Sequence, residues 1–319
     1  MRYALKRLAE LETQRSGLSL VEILVSVSVI GLLIAMLLPA VQSVRESARR
    51  STCQSHLRQV ALACDQFESS QGHYPTSQFL EQHGIGPDGT TWSFLAQVLP
   101  YLEQANLHSA GGIPDKTLRE SGIADHQLSV FLCPSDPYSN KGPRRDAGNM
   151  YEHDFAVGQT NYKGVCGSNW GADTSQGWGV AESGTLWPNA SSKGSFDGLN
   201  EGDGLFSRID WKHPRSKDRI IDGTSSTMML GEALPKYDTY CSWPYANNVH
   251  STCAIPPNIK DDTNPQDWPN TQSFRSEHTG GLHFAFADGS VHFISESIDL
   301  KVYRALATIQ GNEVAVLPE

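Results

Sequence analysis

Hydrophobic positions follow three successive patterns along the chain, and each predicts a different kind of element. Residues 18–38 are almost continuously apolar, with Glu22 the only ionisable side chain among them. At a helical rise of 1.5 Å per residue they span roughly 31 Å, about one bilayer core, so the pattern predicts a membrane-spanning helix. After Pro39 the spacing changes to threes and fours: Leu57, Val60, Ala61, Cys64 and Phe67 share one face, with Arg58, Gln59 and Glu68 off it. That period predicts that the same helix continues to about residue 70, offering a narrow apolar stripe to a folded domain. Gly72 and Pro75 stop it.

Residues 91–108 predict a second helix, or a helix pair bent at Pro100. From residue 131 onward, short apolar runs alternate with Gly, Pro, Asn and Asp clusters, which predicts strands and long loops. Residues 138–205 and 235–275 are the loop-rich parts, where tryptophans 170, 178, 187, 211, 243 and 268 are expected to pin irregular backbone to the sheet. In "LHFAFADGSVHFI", 282–294, Asp288-Gly289 predicts a two-residue type I′ hairpin turn. Pairing Ala287 with Ser290 then sets Phe286 against Val291 and Phe284 against Phe293 on a core face, and leaves His283, Ala285, His292 and Ile294 on the other. Ser297 is the expected cap of a last helix that ends before Gly311. The fold class is therefore α+β: a long N-terminal membrane-spanning helix packed on an antiparallel sheet, with large loop insertions. The expected organisation is a leader over 1–17, a transmembrane part over 18–40, an amphipathic part of the same helix over 41–71, and an extracytoplasmic globular domain over 72–319.

A carboxylate in an apolar span costs up to roughly 3 kcal/mol at the bilayer centre and calls for a partner. Cleavage between Gly17 and Leu18 would supply one, since the new amino group lies four residues before Glu22 and the Glu22 of one subunit can neutralise the amine of its neighbour. An ordinary secretory signal has a shorter apolar core followed by a small-residue cleavage site, and a simple signal anchor leaves Gly17, Glu22 and the basic flank unexplained.

These residues, "GLSLVEILV" with Pro39 beyond, resemble the prepilin signature of type IV pilins and type II secretion pseudopilins. Leu18 and Ser19 stand where Phe-Thr is commoner, and the leader, carrying Glu10 and Glu12, is longer and less basic than most. The resemblance implies a prepilin peptidase that cuts Gly17 from Leu18 and methylates the new amine. It also implies a role for Glu22 and Pro39 in assembly with other pilin-like subunits, and an anchor among inner-membrane lipids. "FLCPSDP" at 131–137, "TNYKG" at 160–164, "IIDGTSSTMMLGE" at 220–232, and His278 followed after nine residues by Asp288-Gly289 further resemble the domain of unknown function family 1559. That family carries a prepilin-type leader and a His-(nine residues)-Asp-Gly motif, and it has no established activity to carry over.

Charge and cysteines narrow the picture. Thirty-five Asp and Glu against 25 Lys and Arg give a net charge of −10. An acidic body of this kind does not suit a nucleic-acid binder. Six cysteines without a C-x-x-C pair do not form a zinc or redox motif. In an exported body disulfides are expected, with Cys241 and Cys253, in one loop-rich segment, the favoured pair. Cys53 and Cys64 are about 16 Å apart along a helix and cannot pair together; Cys133 and Cys166 are their candidate partners.

Four patterns mimic active or binding sites. "GIGPDG", 84–89, has G-x-G-x-x-G letters but contains Pro87 and follows no strand, so it reads as a loop. "CGSNW", 166–170, puts Asn169 where a papain-type enzyme needs its nucleophilic thiol. His283 and His292, as diagonal neighbours on one hairpin face, are candidate zinc or nickel ligands if His278 or a carboxylate joins them, although histidines on a polar sheet face usually only meet solvent. "DGLNEGDG", 197–204, and "DDTNPQD", 261–267, offer oxygens of the kind calcium takes, without EF-hand spacing. The sequence thus predicts a membrane-anchored, pseudopilin-like structural subunit that is not an enzyme. The alternative is an anchored, non-assembling envelope protein that binds a glycan or surface protein through its Trp-rich loops.

Overall fold

The computed structural model describes residues 19–150, 154–168, 202–261, 263–267 and 271–312. Gly17, Leu18, Asn169 and tryptophans 170, 178, 187 and 268 lie outside them. The chain divides into two compact units, residues 1–48 and 49–319.

In the first unit, helix α1 (Leu20–Gln71, which continues into the second unit) begins with a reciprocal cap. Ser19 Oγ accepts from Val21 N at 3.2 Å, and Ser19 N donates to Glu22 Oε2 at 2.8 Å, so Glu22 satisfies one of the orphan donors of the first turn. The helix passes through Pro39, and its large apolar side chains from Leu20 to Val44 are exposed. It is long and apolar enough to cross a membrane.

The second unit is α+β. Along the outer part of α1, Cys53, Leu57, Val60, Ala61 and Cys64 are buried, with Phe67 packed against them. This is the predicted stripe extended by one turn towards the N-terminus. Residues 91–108 are more broken than one bent helix. Ser93 caps α2 (Phe94–Gln97), a 3₁₀ turn follows through Pro100, Glu103 takes a left-handed φ of 59°, and α3 (Ala105–Gly111) begins afresh. The short α4 (Leu118–Ser121) carries a Thr117–Glu120 capping box.

Among the described residues five strands follow: β1 (Tyr162–Val165), β2 (Met228–Glu232), β3 (His250–Ser251), β4 (Gly281–Phe286) and β5 (Val291–Ser295), in the order β3-β1-β2-β4-β5. Every pairing is antiparallel except β1 with β3, which is parallel, so the sheet is mixed rather than wholly antiparallel. Both faces are covered. One meets the core that contains the α1 stripe, Tyr162, Leu230, Ala285 and Val291. The other meets Phe274, Phe284, Phe286, Ile294 and Tyr303 of the helix α5 (Leu300–Ala305). The α5 cap is Asp299, whose carboxylate accepts from Lys301 N at 2.7 Å, and not Ser297.

The β4–β5 hairpin forms one residue out of the predicted register. Leu282 faces Ile294, His283 faces Phe293, Phe284 faces His292 and Ala285 faces Val291. The loop holds three residues, Ala287, Asp288 and Gly289, because Phe286 N bonds Ser290 O at 2.8 Å. A type I′ turn requires positive φ at Asp288 as well, whereas only Gly289 is left-handed, at 82°. Asp288 instead accepts from Ser290 N at 2.8 Å, which closes a turn of the type that ends in a left-handed glycine. A slip of one residue exchanges sheet faces. His283 and His292 therefore lie on opposite faces and cannot share a metal.

Candidate functional site: a carboxylate between two histidines and a disulfide

Glu232, the last residue of β2, stands opposite His283 of β4 on the face towards α1. His283 N donates to Glu232 Oε2 at 2.7 Å, and its ring Nδ1 lies 3.3 Å from both carboxylate oxygens. His278 approaches from the turn before β4, with Nε2 at 3.3 Å from Glu232 Oε1. The two imidazoles meet edge to face at 5.2 Å. All three side chains are buried, each residue only 2% exposed. Burial alone would raise the Glu232 carboxyl; the hydrogen bonds and charge of His278 and His283 outweigh it and hold the group at about 2. Arg50 of α1 closes the outer side, its guanidinium 3.7 Å above the Phe293 ring and its Nε 3.5 Å from His283 Nε2.

The disulfide of this unit abuts the cluster. Cys53 of α1 is bonded to Cys133, and Cys133 Sγ lies 3.8 Å from His278 Nε2. The expected Cys241–Cys253 bridge is absent, and both thiols are buried and unbridged. Ser242 bridges Gln159, before β1, while Cys253 N bonds Gly167 O, beyond it. Strand β1 runs between those anchor points, and its four residues alone span roughly 10 Å, against the 7 Å that a disulfide tolerates between Cα atoms. Cys133 was a candidate partner for Cys53; Cys64 and Cys166 stay buried and unbridged.

Asn161 binds the segments around the cluster together. Its N donates to Phe131 O at 2.8 Å, its Oδ1 accepts from Cys133 N at 2.9 Å, and its Nδ2 donates to Asp136 Oδ2 and to Ala233 O at 2.8 and 2.9 Å. Parts of "FLCPSDP", "TNYKG" and the end of "IIDGTSSTMMLGE" thus converge with His278 in one buried network. Asp288 and Gly289 do not join it. They sit at the far end of β4, where Gly289 turns the hairpin under Leu62 of α1.

The other sequence candidates settle elsewhere. His292 Nε2 meets Ser290 Oγ at 3.0 Å. Of the calcium-type loops, residues 197–201 and 262 lie outside the described residues; Asp203 accepts from Ser168 N at 2.6 Å, 35 residues away in sequence, and Asp261 accepts from Thr263 N at 2.9 Å. "GIGPDG" is a loop with left-handed Gly84 and Gly86. Trp243 is fully buried and donates to His126 O at 2.7 Å, an anchor as expected.

Sequence reasoning missed Glu232, Arg50 and a second buried constellation. Ser77 Oγ lies 3.3 Å from His250 Nε2, and Ser77 N donates to Asp210 Oδ1 at 2.6 Å. The members match a hydrolytic triad but the wiring does not: His250 Nδ1 faces Ala246 O at 3.0 Å, and all three are buried.

A family profile described as "Protein of unknown function (DUF1559)" matches residues 42–301. The chain belongs to this family. The DUF1559 match takes in the outer part of α1, the whole sheet and the Glu232 cluster, and it begins after Glu22 and Pro39. No curated protein and no solved structure matches the chain.

Proposed function

We propose that this DUF1559 protein is a type IV pilin- or pseudopilin-like structural subunit. A prepilin peptidase cuts it between Gly17 and Leu18, residues 18–38 hold it in the inner membrane, and the body from about residue 72 lies on the extracytoplasmic side. The observation that supports this reading best is the division of labour along α1. Its apolar surface up to Val44 is uncovered, while the stripe from Cys53 to Cys64 is buried under the sheet. An apolar surface of that length needs lipid or like helices around it.

Glu22 sits in the first turn, where its side chain accepts from the Ser19 N–H at 2.8 Å. In an assembly the amine of a neighbour's Leu18 would bind the same carboxylate. N-terminal sequencing of membrane-extracted protein tests the processing: a mature chain beginning at Leu18 supports it, and an intact Met1 overturns it. Glu22→Ala should leave cleavage unchanged and abolish cross-linkable oligomers. Efficient cross-linking of that variant would instead favour an anchor that does not assemble through Glu22.

A further inference from the structure

Four buried groups of different chemistry point at one small volume. The Sγ atoms of Cys53 and Cys133, a Glu232 carboxylate oxygen and a His278 ring nitrogen all lie within 4.8 Å of one another. We propose that when the Cys53–Cys133 disulfide is reduced, these four side chains form a tetrahedral site for one zinc-class divalent cation. This inference does not depend on how the N-terminus is processed.

The distances carry it. With Zn–S near 2.3 Å and Zn–N and Zn–O near 2.0–2.2 Å, tetrahedral ligand atoms stand roughly 3.3–3.8 Å apart. Glu232 Oε1 to His278 Nε2 is 3.3 Å, and His278 Nε2 to Cys133 Sγ is 3.8 Å. The remaining pairs lie within 4.8 Å, and the two sulfurs must separate, which cleavage of their bond permits. The surrounding shell is built as well. His283 holds Glu232 Oε2 through its backbone N–H and places its ring Nδ1 3.3 Å from both carboxylate oxygens, which orients the group, and Asn161 fixes the Cys133 backbone. Two thiolates and a carboxylate against a dication leave one negative charge, and the Arg50 guanidinium lies on the adjoining His283 and Phe293. Thiolate and imidazole donors favour zinc over magnesium or calcium.

The chemistry balances with an external dithiol as reductant. It gives two electrons and two protons to the S–S bond and becomes a disulfide itself, leaving two thiols on the protein. Zinc binding then releases both thiol protons and the Nε2 proton that His278 shares with Glu232, and the ring keeps its proton on Nδ1 so that Nε2 offers a lone pair.

The test uses the full-length chain, reduced with excess dithiol, freed of metal, loaded with zinc chloride and desalted. About one zinc ion per reduced chain is expected by mass spectrometry and close to none per oxidised chain. Cobalt in place of zinc should give the intense visible absorption of a tetrahedral thiolate site. The Cys53→Ser/Cys133→Ser variant retains the other four buried thiols and serves as the control. Zinc bound equally by that variant overturns the proposal, as does a reduced wild-type chain that keeps no zinc. If the reduced chain unfolds, zinc should restore its near-UV circular dichroism, and failure to do so also overturns the proposal. Glu232→Gln should weaken zinc binding at least about tenfold through loss of the charged ligand.

Discussion

Cys53 and Cys133 join the outer part of α1 to the segment that leads into β1, across 80 residues of sequence. Tyr162 repeats the connection from the sheet side, its hydroxyl donating to Cys53 O at 3.1 Å. Closing a loop of that length in the unfolded chain is worth about 4 kcal/mol in the chain-entropy picture. Under oxidising, metal-free conditions the Cys53→Ala/Cys133→Ala variant should therefore melt about 10 °C lower by calorimetry. A fall of under about 2 °C would show that packing of the α1 stripe alone holds the helix down.

Gly289 faces Leu62 of α1: a Cβ there would lie 3.3 Å from Leu62 Cδ2, and its φ is 82°. Gly289→Ala meets both the left-handed backbone and the contact, and should destabilise by about 1–2 kcal/mol in chemical denaturation. Adding Leu62→Ala should relieve only the contact, so the double variant stays well below the stability of Leu62→Ala alone.

How much of this was legible in the sequence depends on whether local or distant residues decide the matter. The α1 stripe is local periodicity, and Leu57, Val60, Ala61 and Cys64 are buried as their spacing predicts. The hairpin was visible in Asp288-Gly289, but its register was not, because two-residue and three-residue turns share those letters and differ only in φ at Asp288. That single residue moved His283 from a supposed polar face to the core. His283 is buried there because α1, more than 200 residues away in sequence, covers the second face of the sheet. Glu232 had no local signal at all. A charged residue ending an otherwise apolar strand gains its meaning only from His278 and His283, which the chain brings to it some 50 residues later.

Lys163 and Asp238 form a fully buried ion pair at 2.7 Å, with Gln272 Oε1 also 3.0 Å from the ammonium. Removing Lys163 takes away the cation bonded to Asp238 and leaves the buried carboxylate with the Tyr240 N–H at 2.8 Å and the charge of Arg275. Lys163→Met should destabilise by roughly 3–5 kcal/mol, and adding Asp238→Asn should recover a substantial part of that loss. A double variant whose loss equals the sum of the Lys163→Met and Asp238→Asn losses would show that the two charges are not coupled.

Ser77 stands between Asp210 and His250, two groups that burial drives in opposite directions. Burial pushes Asp210 up to about 7, against the pull of the Ser77 and Ser207 N–H groups and of Arg215. Burial pushes His250 down to about 3, helped by the charges of Lys163 and Arg208 and opposed by its bond to Ala246 O. The signs follow from proton counts. Between roughly pH 4 and 7 the folded chain keeps a proton on Asp210 that the unfolded chain has released, so this group makes stability fall as pH rises. Between roughly pH 3 and 6.5 the unfolded chain takes up a proton that buried His250 refuses, so this group makes stability rise with pH. The two contributions nearly cancel from pH 4 to 6.5, each amounting to at most about 1.4 kcal/mol per pH unit. Relative to wild type over that window, His250→Gln should lose stability as pH increases and Asp210→Asn should gain it. Parallel thermal-denaturation curves for all three proteins from pH 4 to 6.5 would mean that neither group holds its shifted protonation state in the folded chain.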